Sequence, residues 1–242
     1  MMRIPFGSLP SMSALFLDYV NDWSRVRDFY PQDYSLDSVV SFARRRPPLD
    51  STHRETLCAA LAAQQEQWGG NPSSVEKLEA GAVAVISGQQ PGLFTGPNYT
   101  ILKAITVTKL PRALSEAGVP AVPVFWIAAE DHDYQEIEWA TLLDRDSAVQ
   151  QVRVDLSNTE SCPSGWLAFH EDVSEAISKC LATLPDSEFQ PAVRDLLASS
   201  YKPGVSPVDA FGRMMAKLFE GSGLILVNPL DPELRKLAAA AL

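Results

Sequence analysis

Residues 82–86, Ala-Val-Ala-Val-Ile, constrain this chain more than any other segment. The run is short, rich in β-branched residues and apolar at every position, so neither of its faces suits water. A strand of that kind is stable only inside a parallel sheet covered on both sides. It passes directly into Ser87-Gly88-Gln89-Gln90-Pro91-Gly92-Leu93-Phe94-Thr95-Gly96-Pro97, and a helical pattern follows through Tyr99, Ile101, Leu102 and Ile105. Pro97 suits the first helical position, where a missing N–H costs nothing. Pro111 is expected to kink or restart the helix, and Gly118 to cap it. A second apolar run, Val119–Ala129, comes next, and Pro120 and Pro123 confine its regular part to about Val124–Ala128. Strand, glycine-rich loop, helix and strand make one βαβ unit, right-handed by strong preference.

Helical patterns flank this unit. They cover residues 12–30 and 35–46, then run from the cap Asp50-Ser51-Thr52 to Trp68, where Gly69-Gly70-Asn71-Pro72 ends them, and over Ser73–Ala80. After the second strand a hairpin is expected, with strands Thr141–Leu143 and Gln151–Asp155 around Asp144-Arg145-Asp146-Ser147. Helices over 171–200, broken at Pro185, and over Val208–Phe219 lead to a strand at Leu224–Val227. Asp231-Pro232 then starts a last helix. The chain divides into a helical segment 1–80, the first βαβ part of the core 81–140, an insertion 141–205 and a return to the core 206–242. It stops inside the last helix, as a truncated sequence would.

Twenty basic and thirty acidic residues give a net charge of −10, which opposes binding to nucleic acid or to an anionic membrane. No apolar run is long enough to span a bilayer, and Ser8, Pro10, Ser11 and Ser13 interrupt any signal peptide. Cys58, Cys162 and Cys180 are odd in number and widely spaced, so no disulfide framework is expected. A cytoplasmic protein is the expectation.

Two clusters could carry chemistry, both at the carboxyl ends of predicted strands, where open parallel sheets bind ligands. In the first, Gly88, Gly92 and Gly96 either let a ligand approach the backbone or serve tight turns. The helix start behind them could offer N–H groups to an anion, although neither the dinucleotide fingerprint nor a P-loop is present. Lys103, one turn after Tyr99, either reaches phosphate or carboxylate oxygens or lies along the surface. The second cluster is Glu130-Asp131-His132-Asp133. Such charge directly after a buried strand calls for a solvated cleft, a cation or a polar ligand, and His132 could move protons. Asp133 could instead cap a helix, with Glu136 completing a capping box. The carboxylates and imidazole could bind Mg²⁺, an amine or sugar hydroxyls, whereas no second His/Cys cluster has the spacing of a dedicated zinc site. No histidine near a cysteine marks a thiolate nucleophile.

The stretch Ser87–Ala104 resembles the Gly-Gln-Gln…Gly-Leu…Thr-Gly-Pro…Tyr-Thr…Lys-Ala signature of the BshC family. Pro123–Asp133, with Glu136-Ile137 following, is similar to that family's second signature. Tyr201-Lys202-Pro203-Gly204, Phe211 and Gly223–Ile225 to Asp231-Pro232 are similar to a third, weaker one. The resemblance covers nearly the whole chain but only about the first half of the family's length. It implies an α/β fold with a Rossmann-like parallel-sheet core like that of class I aminoacyl-tRNA synthetases, a helical N-terminal segment and a connecting-peptide-like insertion. It also implies a ligase that adds L-cysteine to glucosaminyl-malate in the last step of bacillithiol biosynthesis, and homodimerisation of the full-length protein through a C-terminal coiled coil. The synthetase His-Ile-Gly-His motif is replaced by Gly96-Pro97-Asn98-Tyr99. By this analogy Glu130, Asp131 and His132 are the candidate catalytic groups. Gly88, Gln89, Gln90, Gly92, Thr95, Gly96, Asn98, Tyr99, Lys103 and Asp133 are the candidate substrate- or nucleotide-binding residues. The cofactor stays open, ATP with Mg²⁺ being compatible. A nucleotidyltransferase of similar architecture and a non-catalytic fragment that binds a small ligand are the competing readings.

Overall fold

A computed structural model describes residues 4–47, 49–156 and 162–239. Residues 240–242 of the predicted last helix and 157–161 of the predicted insertion lie outside them. Two short helices come first, α1 (Ala14–Asn21) and α2 (Leu36–Arg45), each capped by a serine oxygen that accepts a backbone N–H: Ser13 from Phe16 and Ser35 from Ser38. The expected helix over 12–30 is shorter, because Asp22 leaves the helical region and Trp23–Arg25 forms a 3₁₀ turn. Asp50 caps α3 (Ser51–Trp68), which Gly69 ends at φ +74°. Helix α4 spans Ser73–Glu79.

The core is a parallel sheet in the order β1 (Val83–Gln89), β2 (Ala121–Ile127), β5 (Ile225–Val227). Between the first two strands runs α5 (Tyr99–Glu116). Its regular part starts two residues after Pro97, since the first bond closes as an i,i+3 turn from Thr100 N–H to the Pro97 carbonyl. The expected break at Pro111 is absent. The helix continues through it because the buried proline packs against the core, which offsets one lost hydrogen bond. Strand β2 also begins earlier than expected, at Ala121, and includes Pro123. The Pro120 carbonyl and the Ala128 N–H both bond β1, so even-numbered residues of β2 face β1. Pro123 therefore turns its missing N–H to the other side, where pairing with β5 starts only at Val124.

Helices pack on both faces, as the apolar strands demand, although Ile86 of β1 and Trp126 of β2 stay exposed. On one face α5 and α8 (Pro207–Leu218) bury Ala104, Val107, Phe125, Ile127, Phe211 and Met215. On the other, α3, α4 and α9 (Pro232–Ala239) bury Leu61, Val75, Leu78, Val122, Val124 and Ile225, with Leu234 packed alongside. The chain is a Rossmann-like α/β domain. An antiparallel hairpin, β3 (Trp139–Leu143) and β4 (Val149–Arg153), packs with α6 (Asp172–Thr183) and α7 (Gln190–Ser200) into a satellite core around Leu93, Phe169 and Tyr201. Among the described residues no helix is long and apolar enough to cross a membrane.

Candidate functional site

The loop after β1 is shaped by close approach. A Cβ on Gly88 would stand 2.6 Å from the Trp126 carbonyl oxygen, and one on Gly92 would stand 2.8 Å from the Gly96 Cα. Between those glycines Phe94 and Thr95 adopt φ values of +53° and +80°, a costly region for residues with a Cβ, above all for a β-branched one. Tyr201, fully buried, holds them there. Its Oη accepts the Thr95 N–H at 3.3 Å, and its ring meets Phe94 edge-on at 5.1 Å. Burial drives the Tyr201 hydroxyl pKa upward, so this anchor stays neutral. Besides that of Thr95, three N–H groups of the loop have backbone partners: Gly92 bonds the Gln90 carbonyl, Leu93 the Ile137 carbonyl and Gly96 the Leu93 carbonyl.

Against this loop lies the segment after β2, and between them opens a cleft of about 700 Å³. Gln89, Gln90, Gly92, Gly96, Asn98 and Tyr99 line one wall; Asp133, Gln135, Glu136, Trp139 and Thr141 line the other. Gln90 joins the walls, its amide donating at 2.7 Å to Asp131 Oδ2 and at 2.7 Å to Glu136 Oε2. The Asp133 N–H donates to the other Asp131 oxygen at 3.0 Å. These donors, the backbone one first, hold the Asp131 carboxyl below the usual aspartate range despite partial burial. Asp131 is therefore ionised at neutral pH. The only helix beside Glu136 is a 3₁₀ turn, Tyr134–Glu136, and Asp133 makes no side-chain cap there, so the capping-box alternative does not form.

The two predicted clusters do not meet in full. Lys103 Nζ stands 2.8 Å from Gln89 Oε1, 3.2 Å from the Gly88 carbonyl and 5.1 Å from the centre of the Tyr99 ring. It fixes the strand end, beside the cleft rather than in its lining. Gly88 is occupied by the sheet and Thr95, within the loop, is buried. Glu130 accepts the Trp126 indole N–H at 3.2 Å and lines a second groove with Leu234 and Arg235. His132 is exposed next to Asp131. Three cleft residues, Gln135, Trp139 and Thr141, were not singled out in the sequence. An exposed tryptophan in the first strand after a charged cluster was the available signal, and Trp139 is 40% exposed.

Asp133 and Glu136 in the lining, with Asp131 behind Gln90, make the cleft acidic. Such a surface suits an amine or a hydroxyl-rich ligand better than a bare anion, and the Trp139 ring offers an apolar plate beside it. Among the described residues no three His, Cys, Asp or Glu side chains converge to hold a metal ion. Burial pushes the Cys180 thiol up to about 11 and also raises that of Cys58, so neither supplies a thiolate.

The family described as "Bacillithiol biosynthesis BshC, N-terminal Rossmann-like domain" matches residues 2–242. Curated relatives carry the name "Putative cysteine ligase BshC". One from Salinibacter ruber is 37% identical over 244 residues, covering 97% of this chain and 44% of its own length. One from Koribacter versatilis is 34% identical, covering 98% and 44%, and one from Bacillus cereus is 32% identical with the same coverage. The chain thus spans a little under half the length of these relatives.

Proposed function

The chain belongs to the BshC family, and from that membership we propose that it is the Rossmann-like portion of a cysteine ligase, a cytoplasmic enzyme that joins L-cysteine to glucosaminyl-malate. The observation that carries this reading is the acidic cleft at the end of β1, walled by Gln89, Gln90, Tyr99, Asp133, Glu136 and Trp139. An amide bond forms when an amine, stripped of one proton, attacks an activated carboxyl carbon and displaces its leaving oxygen. An amino sugar fits the cleft's chemistry: carboxylates for its amine and hydroxyls, an indole for its apolar face. In this assignment Gln90 sets the spacing of Asp131 and Glu136. Asp131, held ionised behind Gln90, adds negative potential that favours a positive amine in the cleft. His132, next in the chain and open to solvent, is the group that takes the proton away. Lys103 and Tyr99 hold Gln89 against the strand end and present it to the cysteine or to an activating group. The Glu130 carboxylate, a candidate in the sequence, serves from the neighbouring groove only if substrate extends past Trp126.

The test is direct. Full-length family enzyme, incubated with glucosaminyl-malate, cysteine and ATP, should yield the cysteinyl amide. Gln90→Leu and His132→Asn should each lower the yield while the fold is retained. A preparation that binds glucosaminyl-malate yet forms no product with ATP would sink the ligase reading.

A further inference from the structure

The turn that leads out of β1 holds residues that do not suit its shape. The Gly96 N–H closes it on the Leu93 carbonyl at 2.9 Å, and both central residues have positive φ, Phe94 at +53° and Thr95 at +80°. Glycine, asparagine and aspartate dominate such turns, because a Cβ crowds the backbone there. Phenylalanine followed by a β-branched threonine should relax to another conformation. Strain of this kind persists only where the surroundings over-determine it. Local sequence therefore does not account for the loop.

The hold comes from the insertion. Tyr201 ends α7, and its hydroxyl is the partner of the Thr95 N–H. The tyrosine is itself fixed. Its ring packs on Phe169 at 5.6 Å, the Phe169 N–H donates to the Val205 carbonyl at 2.9 Å, and the Gly204 N–H donates to the Phe169 carbonyl at 2.8 Å. Leu93 is buried in the same satellite core, and Phe94 packs against it. The centre of the turn is thus gripped by the insertion, while Gly92, Gly96, Asn98 and Tyr99, on either side of it, line the cleft. Tyr201, fully buried, is not a lining residue. It can act on a ligand only through the loop.

We propose that Tyr201 is a positioning residue for the substrate: by holding Thr95 at positive φ, it keeps residues 92–99 in the shape that receives the hydroxyl-rich amine. The inference rests on the reading of this cleft as the substrate site and adds a residue which that reading does not use. His132, which takes the proton in that reading, stands on the segment after β2. Loss of the Tyr201 hydroxyl therefore weakens binding in the ground state and the transition state alike, which raises KM and spares kcat.

The test uses a full-length family enzyme that carries this tyrosine and this threonine, as Tyr201→Phe and as the pair Tyr201→Phe/Thr95→Gly. Glycine takes a φ of +80° without strain, so it should restore the wall where the hydroxyl is missing. Tyr201→Phe should raise KM for glucosaminyl-malate, and its Kd by calorimetry, about tenfold, with kcat within about twofold. The double variant should return both constants to within about threefold of the parent. A fall in kcat at unchanged KM would overturn the proposal, as would a Tyr201→Phe enzyme that binds like the parent or a double variant no better than the single one. Should Tyr201→Phe fail to fold, the double variant decides: folded and binding, it upholds the proposal, and unfolded, it overturns it. A parent that does not bind glucosaminyl-malate would remove the substrate reading and this inference together, whereas a parent that binds with variants that bind equally would remove this inference alone.

Discussion

At Asp131 two donors, the Asp133 N–H and the Gln90 amide, fix the sign of the pH dependence. The folded-state pKa lies below the unfolded one. The stabilisation is therefore complete above the ordinary aspartate range and is lost as pH falls through the depressed value. Asp131→Asn should lower the urea midpoint at pH 7, and the gap from the native protein should close towards pH 3. A gap independent of pH would mean that the carboxylate's charge is not what counts. Gln90→Leu removes the brace between Asp131 and Glu136, and in the full-length enzyme kcat/KM for ligation should fall roughly 10–100-fold. Under the loop, Tyr201→Phe keeps the ring but deprives the Thr95 N–H of its acceptor. Urea unfolding should show a loss of about 1–3 kcal/mol.

Elements were legible in the sequence where local chemistry decides them. Ser35, Asp50 and Asp231 start helices by capping backbone N–H groups, and the apolar runs around Val85 and Val124 became buried or half-buried strands. What was misread depends on distant partners. Pro123 sits inside β2 because the neighbour on that side begins one residue later, and nothing near Pro123 announces it. Gln64 and Gln65 look like solvent residues of α3, yet their amides bond the backbone of Asn228 and Leu226, sealing the β5 edge more than 160 residues away in sequence. Likewise the loop side of the cleft could be named from its glycines and glutamines, whereas Gln135 and Trp139 enter only once the β3–β4 hairpin is docked. The seal is testable: Gln65→Leu strands one N–H and one carbonyl of Leu226, each costing about 1–3 kcal/mol, and the loss should appear in thermal unfolding. A neutral substitution would mean that water replaces the amide.

For the whole molecule, the open outer edge of β1 and an apolar groove are set against a net charge of −10. Charge of one sign keeps copies apart at long range, but it is screened within about 10 Å at 0.1 M salt, and an unpaired edge acts at contact. The 242-residue chain alone should therefore self-associate in sedimentation velocity, more strongly as salt is raised. A monomer at every salt and protein concentration would show that the edge is protected. The Tyr201 anchor adds a consequence in time. Thr95 and Tyr201 lie 106 positions apart, so the hydrogen bond between them cannot exist until that much more polypeptide has been made. During synthesis β1 emerges first, with Phe94 and Thr95 free to relax out of their left-handed conformation. The floor of the cleft sets only when the ribosome has passed Tyr201, which makes the candidate site one of the last parts of this chain to acquire its shape.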